Sequence, residues 1–362
     1  MKKKEWIKTI VFIAGFFLIL IPLTYMIRTN GDIKDIFVGF YAEKKDTIDV
    51  VMIGSSPVYP YYAGPKIWED TGITCYPLSS NMQRPKAAVH LVEEAEKTQD
   101  PELYVFEMRM YLGPDERLTQ NMAYTRGVTD NMKYSWNRIK TINDLVEPNE
   151  EEPRYTYYFD IFKYHSNWKT LVLPSQMVTF RYEYPDPLKG AVIRDDIGPS
   201  EMADYSWVTD RQAIPEDQEE VLRNLLAYLQ EKGLNALFIV SPNTMTEEKQ
   251  RQYNYIADII APTGYQFLNM NDYYEELDID FEMDFDDYGG HANAFGMEKC
   301  SAFLGEYLKN NYSFTDKRGQ KEYESWDKAA ELWEEQTETA KQTILDKKER
   351  NEIGRASCRE RV

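Results

Sequence analysis

Cysteine is scarce in this chain. Cys75, Cys300 and Cys358 are the only three in 362 residues. Three thiols do not make a disulfide framework, so stability has to come from a packed core. Cys75 and Cys300 fall in apparent core elements and read as small buried hydrophobes. Basic charge is also short: 42 Lys and Arg face 61 Asp and Glu, a formal net charge of −19. So acidic a surface argues against nucleic acid or anionic lipid as the main partner. Histidine is limited to His90, His165 and His291, which leaves few candidates for a base near neutral pH. Apolar residues are plentiful. They make up 43% of the chain, with 14% aromatic, enough for a sizeable core and against global disorder. The length suits one large domain or two ordinary ones. Tyrosine is abundant, and Tyr59, Tyr61 and Tyr62 fall in a loop, where such rings suit either a sugar or ordinary packing.

The N-terminus is basic, with Lys2, Lys3, Lys4 and Lys8, and an apolar run follows from Thr9 to Ile27. At about 1.5 Å per residue that run spans roughly one hydrocarbon core. Arg28 and Lys34 follow more sparsely, so the positive-inside rule puts the N-terminus in the cytoplasm and the rest outside. A cleaved signal peptide is the competing reading. No small-x-small cleavage site and no lipid-attachment cysteine follows the run, so a retained single-pass anchor in the cell membrane is expected. Residues 1–30 are then a cytoplasmic stub and transmembrane anchor, and 31–45 a short linker with an amphipathic patch.

From residue 46 the pattern is that of an α/β domain. Apolar runs at Asp49–Ser55, Ile73–Leu78, Leu103–Met110, Ala236–Ser241 and Gln266–Met270 predict strands. Helical patterns lie between them. Pro85 opens one, Pro215 opens another that Gly233 closes, Thr244 and Glu247 form a possible capping box for a third, and Phe295 to Tyr307 makes a fourth. Strands alternating with helices imply a parallel sheet with helices on both faces. Residues 112–212 interrupt this rhythm with a long, aromatic, Pro-rich insertion around Pro148, Pro153, Pro174, Pro185 and Pro187. It either shapes a substrate cleft or serves as a structural cap. The domain closes near residue 312. Residues 313–351 form a charged tail in which Trp326, Ala330, Trp333, Thr337, Ala340 and Ile344 keep helical spacing. The last eleven residues, 352–362, resemble the translation of a sequencing adapter, which would make them, and Cys358, foreign to the natural chain.

Two stretches carry chemistry. The first is Asp49-Val50-Val51-Met52-Ile53-Gly54-Ser55-Ser56-Pro57, an apolar strand ending abruptly in small residues. It presents a hydroxyl at the carboxyl end of a strand, where open α/β sheets place their chemistry. The second is Asp284-Phe285-Asp286-Asp287-Tyr288-Gly289-Gly290-His291, an acidic, Gly-rich loop before the last helix. A serine hydroxyl needs a base to take its proton, and imidazole titrates in the right range. A carboxylate then fixes the imidazole tautomer and stabilises its charged form. Ser56, His291 and an Asp from 284–287, nearest Asp287, supply the three parts. His165 is a rival base with only Asp160 near it, and His90 sits inside a helix. Asp284, Asp286 and Asp287 with Glu282 lack the alternating ligands and distal Glu of a calcium loop, so no metal is expected.

This arrangement resembles the SGNH, or GDSL-like, hydrolase superfamily, including membrane-anchored relatives that work beside membrane-bound O-acyltransferases on cell-surface polymers. In that family a strand ends in Gly-Asp-Ser, and an Asp-x-x-His element precedes the final helix. Gly54-Ser55-Ser56 matches the first element, with Ser at position 55, and His291 matches the base. The nearest acid, Asp287, stands four residues before His291 rather than three. The resemblance covers roughly 46–310 and implies a three-layer α/β/α sandwich with a five-stranded parallel sheet. It implies a serine esterase or acyltransferase without a cofactor, acting on acyl esters, acetyl foremost, of a surface polysaccharide or related polymer. The family's oxyanion donors, a Gly and an Asn, have no direct match. The Ser56 N–H with an amide from Ser80 or Asn81 stands in their place. Arg109 and Arg126 are the candidates for substrate contact, although Arg109 could equally form a structural pair with Glu107. A non-catalytic scaffold or polymer-binding partner of a membrane acyltransferase is the alternative.

Overall fold

Apolar runs buried on both faces build the centre of this protein. The computed structural model describes residues 3–28, 31–147, 152–170 and 182–359. Pro148 and Pro174 lie outside the described residues. Helix α1 (Lys3–Ile27) has 25 residues and is long and apolar enough to cross a membrane. Helix α2 (Asp32–Ala42) occupies the stretch expected to be a linker. It is no linker. Ile36, Phe37, Val38, Phe40 and Tyr41 are buried in the main core, and the Tyr76 hydroxyl donates to Ile36 O at 3.1 Å.

The sheet then begins with β1 (Val50–Ile53), α3 (Gly64–Thr71), β2 (Cys75–Pro77), α4 (Ala88–Ala95) and β3 (Leu103–Glu107). The insertion follows as short helices α5 (Asp115–Thr119), α6 (Met122–Thr129), α7 (Trp136–Leu145), α8 (Tyr155–Tyr158) and α9 (Ile161–Tyr164). The alternation resumes with α10 (Glu216–Lys232), β4 (Ala236–Val240), α11 (Glu247–Ile260), β5 (Gln266–Asn269) and α12 (Ala294–Asn311), and α13 (Glu324–Arg359) ends it. All five strands pair in parallel, in the order β2-β1-β3-β4-β5.

Because side chains alternate across a strand, each strand feeds two cores. Val51, Phe106, Phe238 and Val240 meet Leu91 and Val92 of α4, Leu222 and Leu225 of α10, and Tyr253 and Ile256 of α11. Val50, Met52, Val105, Ile239 and Leu268 meet Ile67 of α3 and Cys300, Leu304 and Leu308 of α12. Both Cys75 and Cys300 are free and buried. Helix α13 docks on α3 and α12 through the stripe read from its spacing, with Trp326, Trp333, Thr337 and Ile344 buried. The cap of α11 is Thr246, whose side chain accepts from Lys249 N. Thr244, the expected cap, instead donates its hydroxyl to Tyr288 O at 3.0 Å.

The C-terminal end of α1 is built into the domain. Thr24, Tyr25 and Ile27 are buried, the Tyr134 N–H donates to the Tyr25 hydroxyl at 2.8 Å, and Asn167 Nδ2 donates to Ile27 O at 3.0 Å. Arg28 Nε meets Asp160 at 2.5 Å, and Arg138 Nη2 meets the other oxygen of Asp160 at 2.7 Å.

Candidate active site

At the exit of β1, Gly54 lets the chain pass close under β3. A Cβ there would stand 2.6 Å from Glu107 Cβ and 2.8 Å from Val58 Cγ2. The turn that follows, closed by Val58 N to Ser55 O at 3.1 Å, lifts Ser56 to the rim. The His291 loop comes from the opposite end of the sequence, between β5 and α12. Asn293 holds its far side: the side chain caps α12 and donates to Met283 O at 2.6 Å. Phe285 and Ala292 bridge across the loop.

These two segments meet. Ser56 Oγ lies 2.7 Å from His291 Nε2, and His291 Nδ1 lies 2.5 Å from Asp287 Oδ2. The other Asp287 oxygen accepts the His291 backbone N–H at 2.5 Å. With Asp287 accepting at Nδ1, the proton of neutral imidazole sits on Nδ1, and Nε2 is free to receive the serine proton. Against the cost of burial, the ring and backbone N–H groups of His291 hold Asp287 below the ordinary carboxylate range. The extra residue between acid and histidine is absorbed by two left-handed residues, Tyr288 at φ 59° and Gly289 at φ 85°. Asp286, next door, is driven the other way. Burial and then the charge of Asp287 push it up to about 7.

Arg109 and Tyr61 lock this loop in place. Arg109 donates to Gly290 O at 2.7 Å and Pro242 O at 2.9 Å, and the Tyr61 hydroxyl lies 2.9 Å from each of the same two carbonyls, donating to one of them. The guanidinium sits 4.9 Å from the Tyr61 ring centroid. Arg109 is thus spent on the backbone that carries Asp287 and His291, while still forming part of a cleft wall. Glu107 beneath it is fully buried. Burial pushes it up to about 7, with Arg109 pulling the other way. A folded state that keeps this proton to about 7, against 4.5 for an ordinary Glu, binds more protons than the unfolded chain across that window. Stability through this group therefore falls as pH rises from about 4.5 to about 7. Glu107→Gln is expected to lose less stability than the parent between pH 5 and 7.5, measured by urea midpoints. Parallel profiles would place the Glu107 carboxyl in the ordinary range.

The other expected residues are placed as follows. Arg126 is buried among Asp130 at 2.9 Å, Glu152 and Thr156, with its guanidinium 3.9 Å from the Tyr157 ring. Its charge is neutralised within the insertion. The Ser80 N–H is directed at Gly54 O at 3.4 Å and its hydroxyl at Gln83 Oε1 at 3.2 Å, so Ser80 offers no spare donor. Asn81 accepts the Tyr59 hydroxyl at Oδ1, which leaves its Nδ2 free of protein acceptors among the described residues. The Ser56 N–H likewise has no protein acceptor among the described residues. His90 is held by Asp144 at 3.0 Å and exposed His165 by Phe162 O at 3.1 Å; neither meets Ser56. Tyr59, Tyr61 and Tyr62 are buried, so they fill the core and expose no ring face to a sugar.

Two clefts adjoin the site. One, of about 710 Å³, is bordered by Arg109, Lys249 and Asp287 through Gly290. The other, of about 640 Å³, runs from Arg28 and Lys34 past Arg126 to Tyr59, Asn81 and Arg194. Met82 lines the first and its neighbour Asn81 the second. Asp286, Asp287 and His291 bring ligand-type atoms within 4.8 Å of one another. Both ring nitrogens of His291 are already engaged by Ser56 and Asp287, which is a proton-relay geometry rather than an open coordination shell. No protein-family model matches this chain, and no curated protein matches it either.

Proposed function

We propose that this chain is a membrane-anchored serine esterase or O-acyltransferase of the SGNH type, acting outside the cytoplasm on acyl esters of a cell-surface polymer. The observation that carries the reading is the unbroken relay from Ser56 Oγ through His291 to Asp287. The strand order β2-β1-β3-β4-β5 is the flavodoxin-like order, and helices pack on both cores, which supports a three-layer α/β/α arrangement. The basic N-terminus and apolar α1 support a cytoplasmic start and an outer domain.

In the first half-reaction Ser56 Oγ attacks the acyl carbonyl and passes its proton to His291 Nε2. The tetrahedral oxyanion is met by the Ser56 N–H and Asn81 Nδ2. His291 then protonates the departing alkoxide, and an acyl-Ser56 ester remains. In the second half, water or a polymer hydroxyl gives its proton to His291 and attacks the ester; His291 then returns that proton to Ser56 Oγ as the acyl product leaves. One cleft bordered by Met82 and Asp287 and a second bordered by Asn81 suit a donor and an acceptor held at once, which favours transfer to a hydroxyl over plain hydrolysis. A multi-pass O-acyltransferase in the same membrane would supply the acyl group.

A serine-directed fluorophosphonate probe tests this directly. The parent protein is expected to label, Ser56→Ala to lose all labelling, and Ser55→Ala to keep it. Absence of labelling in a folded parent would favour the second reading, a non-catalytic polymer-binding partner of such an acyltransferase. That reading draws on one observation: the Ser80 N–H is committed to Gly54, so the oxyanion site has fewer preset donors. One such donor is worth about 10²–10³ in turnover.

A further inference from the structure

The insertion carries a surface that the proposed chemistry does not use. An apolar groove of about 400 Å³ runs between α1 and the insertion, with Phe17, Leu20 and Ile21 on one wall and Ile139, Tyr158 and Phe159 on the other. Beside it, Phe162 stands 5.3 Å from the Tyr155 ring and 6.5 Å from Phe159, and all three are exposed. Trp168, 65% exposed, lies on the short 3-10 helix that also touches α1. Large rings left open to water around a membrane-crossing helix are costly unless lipid covers them.

The height of these contacts along α1 gives the argument its direction. Phe17 lies ten residues before Ile27, about 15 Å down the helix axis, and Leu20 about 10 Å down. A hydrocarbon core is about 30 Å thick, some 20 residues of helix. With Lys3 and Lys4 at the inner surface, the outer boundary falls near Tyr25 to Arg28. Insertion residues that pack beside Phe17 to Ile21 therefore sit below that boundary. The segment is also less acidic than the rest of the chain. Residues 131–170 hold six basic and six acidic side chains, in a chain whose net charge is −19. Lys140 and Lys163 are exposed there, and Lys169 Nζ lies 6.0 Å from the Trp168 ring. Aromatic rings flanked by lysines are the composition of a headgroup-level belt.

We propose that α7 to α9 and the following 3-10 helix form a lipid-embedded platform, with Tyr155, Phe159, Phe162 and Trp168 set into the outer leaflet around α1. The occupant of the groove is the acyl chain of a bilayer lipid. Lipid is favoured over a partner's transmembrane helix because one wall of the groove is α1 itself, which any bilayer must surround. The inference rests on α1 crossing the membrane.

The test is nitroxide depth measurement on the full chain in phosphatidylcholine–phosphatidylglycerol vesicles. Cys358→Ser removes the remaining thiol, since Cys75 and Cys300 are buried. Labels are placed singly at Leu18→Cys, Phe159→Cys and Phe162→Cys, with Tyr155→Cys as the substitute for any variant that misfolds. The expected result is oxygen collision several-fold above collision with a water-soluble nickel chelate at all three sites. Chelate access at 159 and 162 with Leu18 still embedded would overturn the platform and leave the anchor standing. Chelate access at Leu18 as well would overturn the anchor, and the platform with it. Shielding of 159 and 162 from both reagents would identify a protein cover instead of lipid.

Discussion

Ser56→Ala and His291→Ala are each expected to lower turnover of an activated acetyl ester by about 10⁶-fold, and the double variant by no more than either alone. The reason is geometric. Serine is reactive only while Nε2 can take its proton, and Nε2 can take it only while a serine lies 2.7 Å away. Removing either partner ends the same step, so the two losses do not add. Asp287→Asn is expected to cost less, about 10⁴-fold, because it leaves the ring in place but disturbs the Nδ1 proton. The check is single-turnover kinetics with p-nitrophenyl acetate on the parent and all four variants. Additive losses, or a fully active His291→Ala, would mean that the contact is structural and that another base does the work.

Asp160→Ala is expected to destabilise the folded protein by about 3–5 kcal/mol. Asp160 is fully buried and lies between Arg28 and Arg138, whose side chains are 3% and 1% exposed. Removing the carboxylate strands two guanidinium groups away from water. Arg138 keeps a second acid, Asp130, at 3.7 Å, so the heavier loss falls on Arg28 and on the seat of α1. Urea titration of the full chain in detergent micelles measures this. A change below about 1 kcal/mol would show that water reaches the cluster and screens it.

Much of the frame was readable before any coordinates. The three central strands stand out because each is a largely apolar run buried throughout, which is what burial on both faces requires; the edge strand β5 begins exposed at Gln266. Their ends were read one to three residues too long, since residues such as Ser55, Met108 and Ser241 continue the run in sequence after the pairing has stopped. Ser56 and His291 stood out for a different reason: a hydroxyl after a buried strand, and one of three histidines in an acidic Gly-rich loop. What escaped notice depends on partners far along the chain. The role of Arg109 and Tyr61 lies in two backbone carbonyls, and no side-chain pattern announces a carbonyl acceptor. Helix α2 looked like a linker because its apolar face is short. Only the arrival of Tyr76 and Tyr182 gives that face something to pack on. The i, i+4 spacing of Asp287 and His291 could not be distinguished from a mismatch without the left-handed turn at Tyr288 and Gly289. Thr244 and Thr246 compete for the same cap, and the loss of Thr244 to the Tyr288 carbonyl is a tertiary event.

The junction between α1 and the domain has one more consequence. A leash would let the serine roam through a hemisphere set by its length. A post sunk into the domain by buried charge and backbone bonds allows no such travel. Under the proposed function the serine would work at one altitude above the lipid, and reach would become a property of the polymer. Only units that pass that altitude would be altered, so the pattern of modification along a growing strand would record how the strand was fed past it.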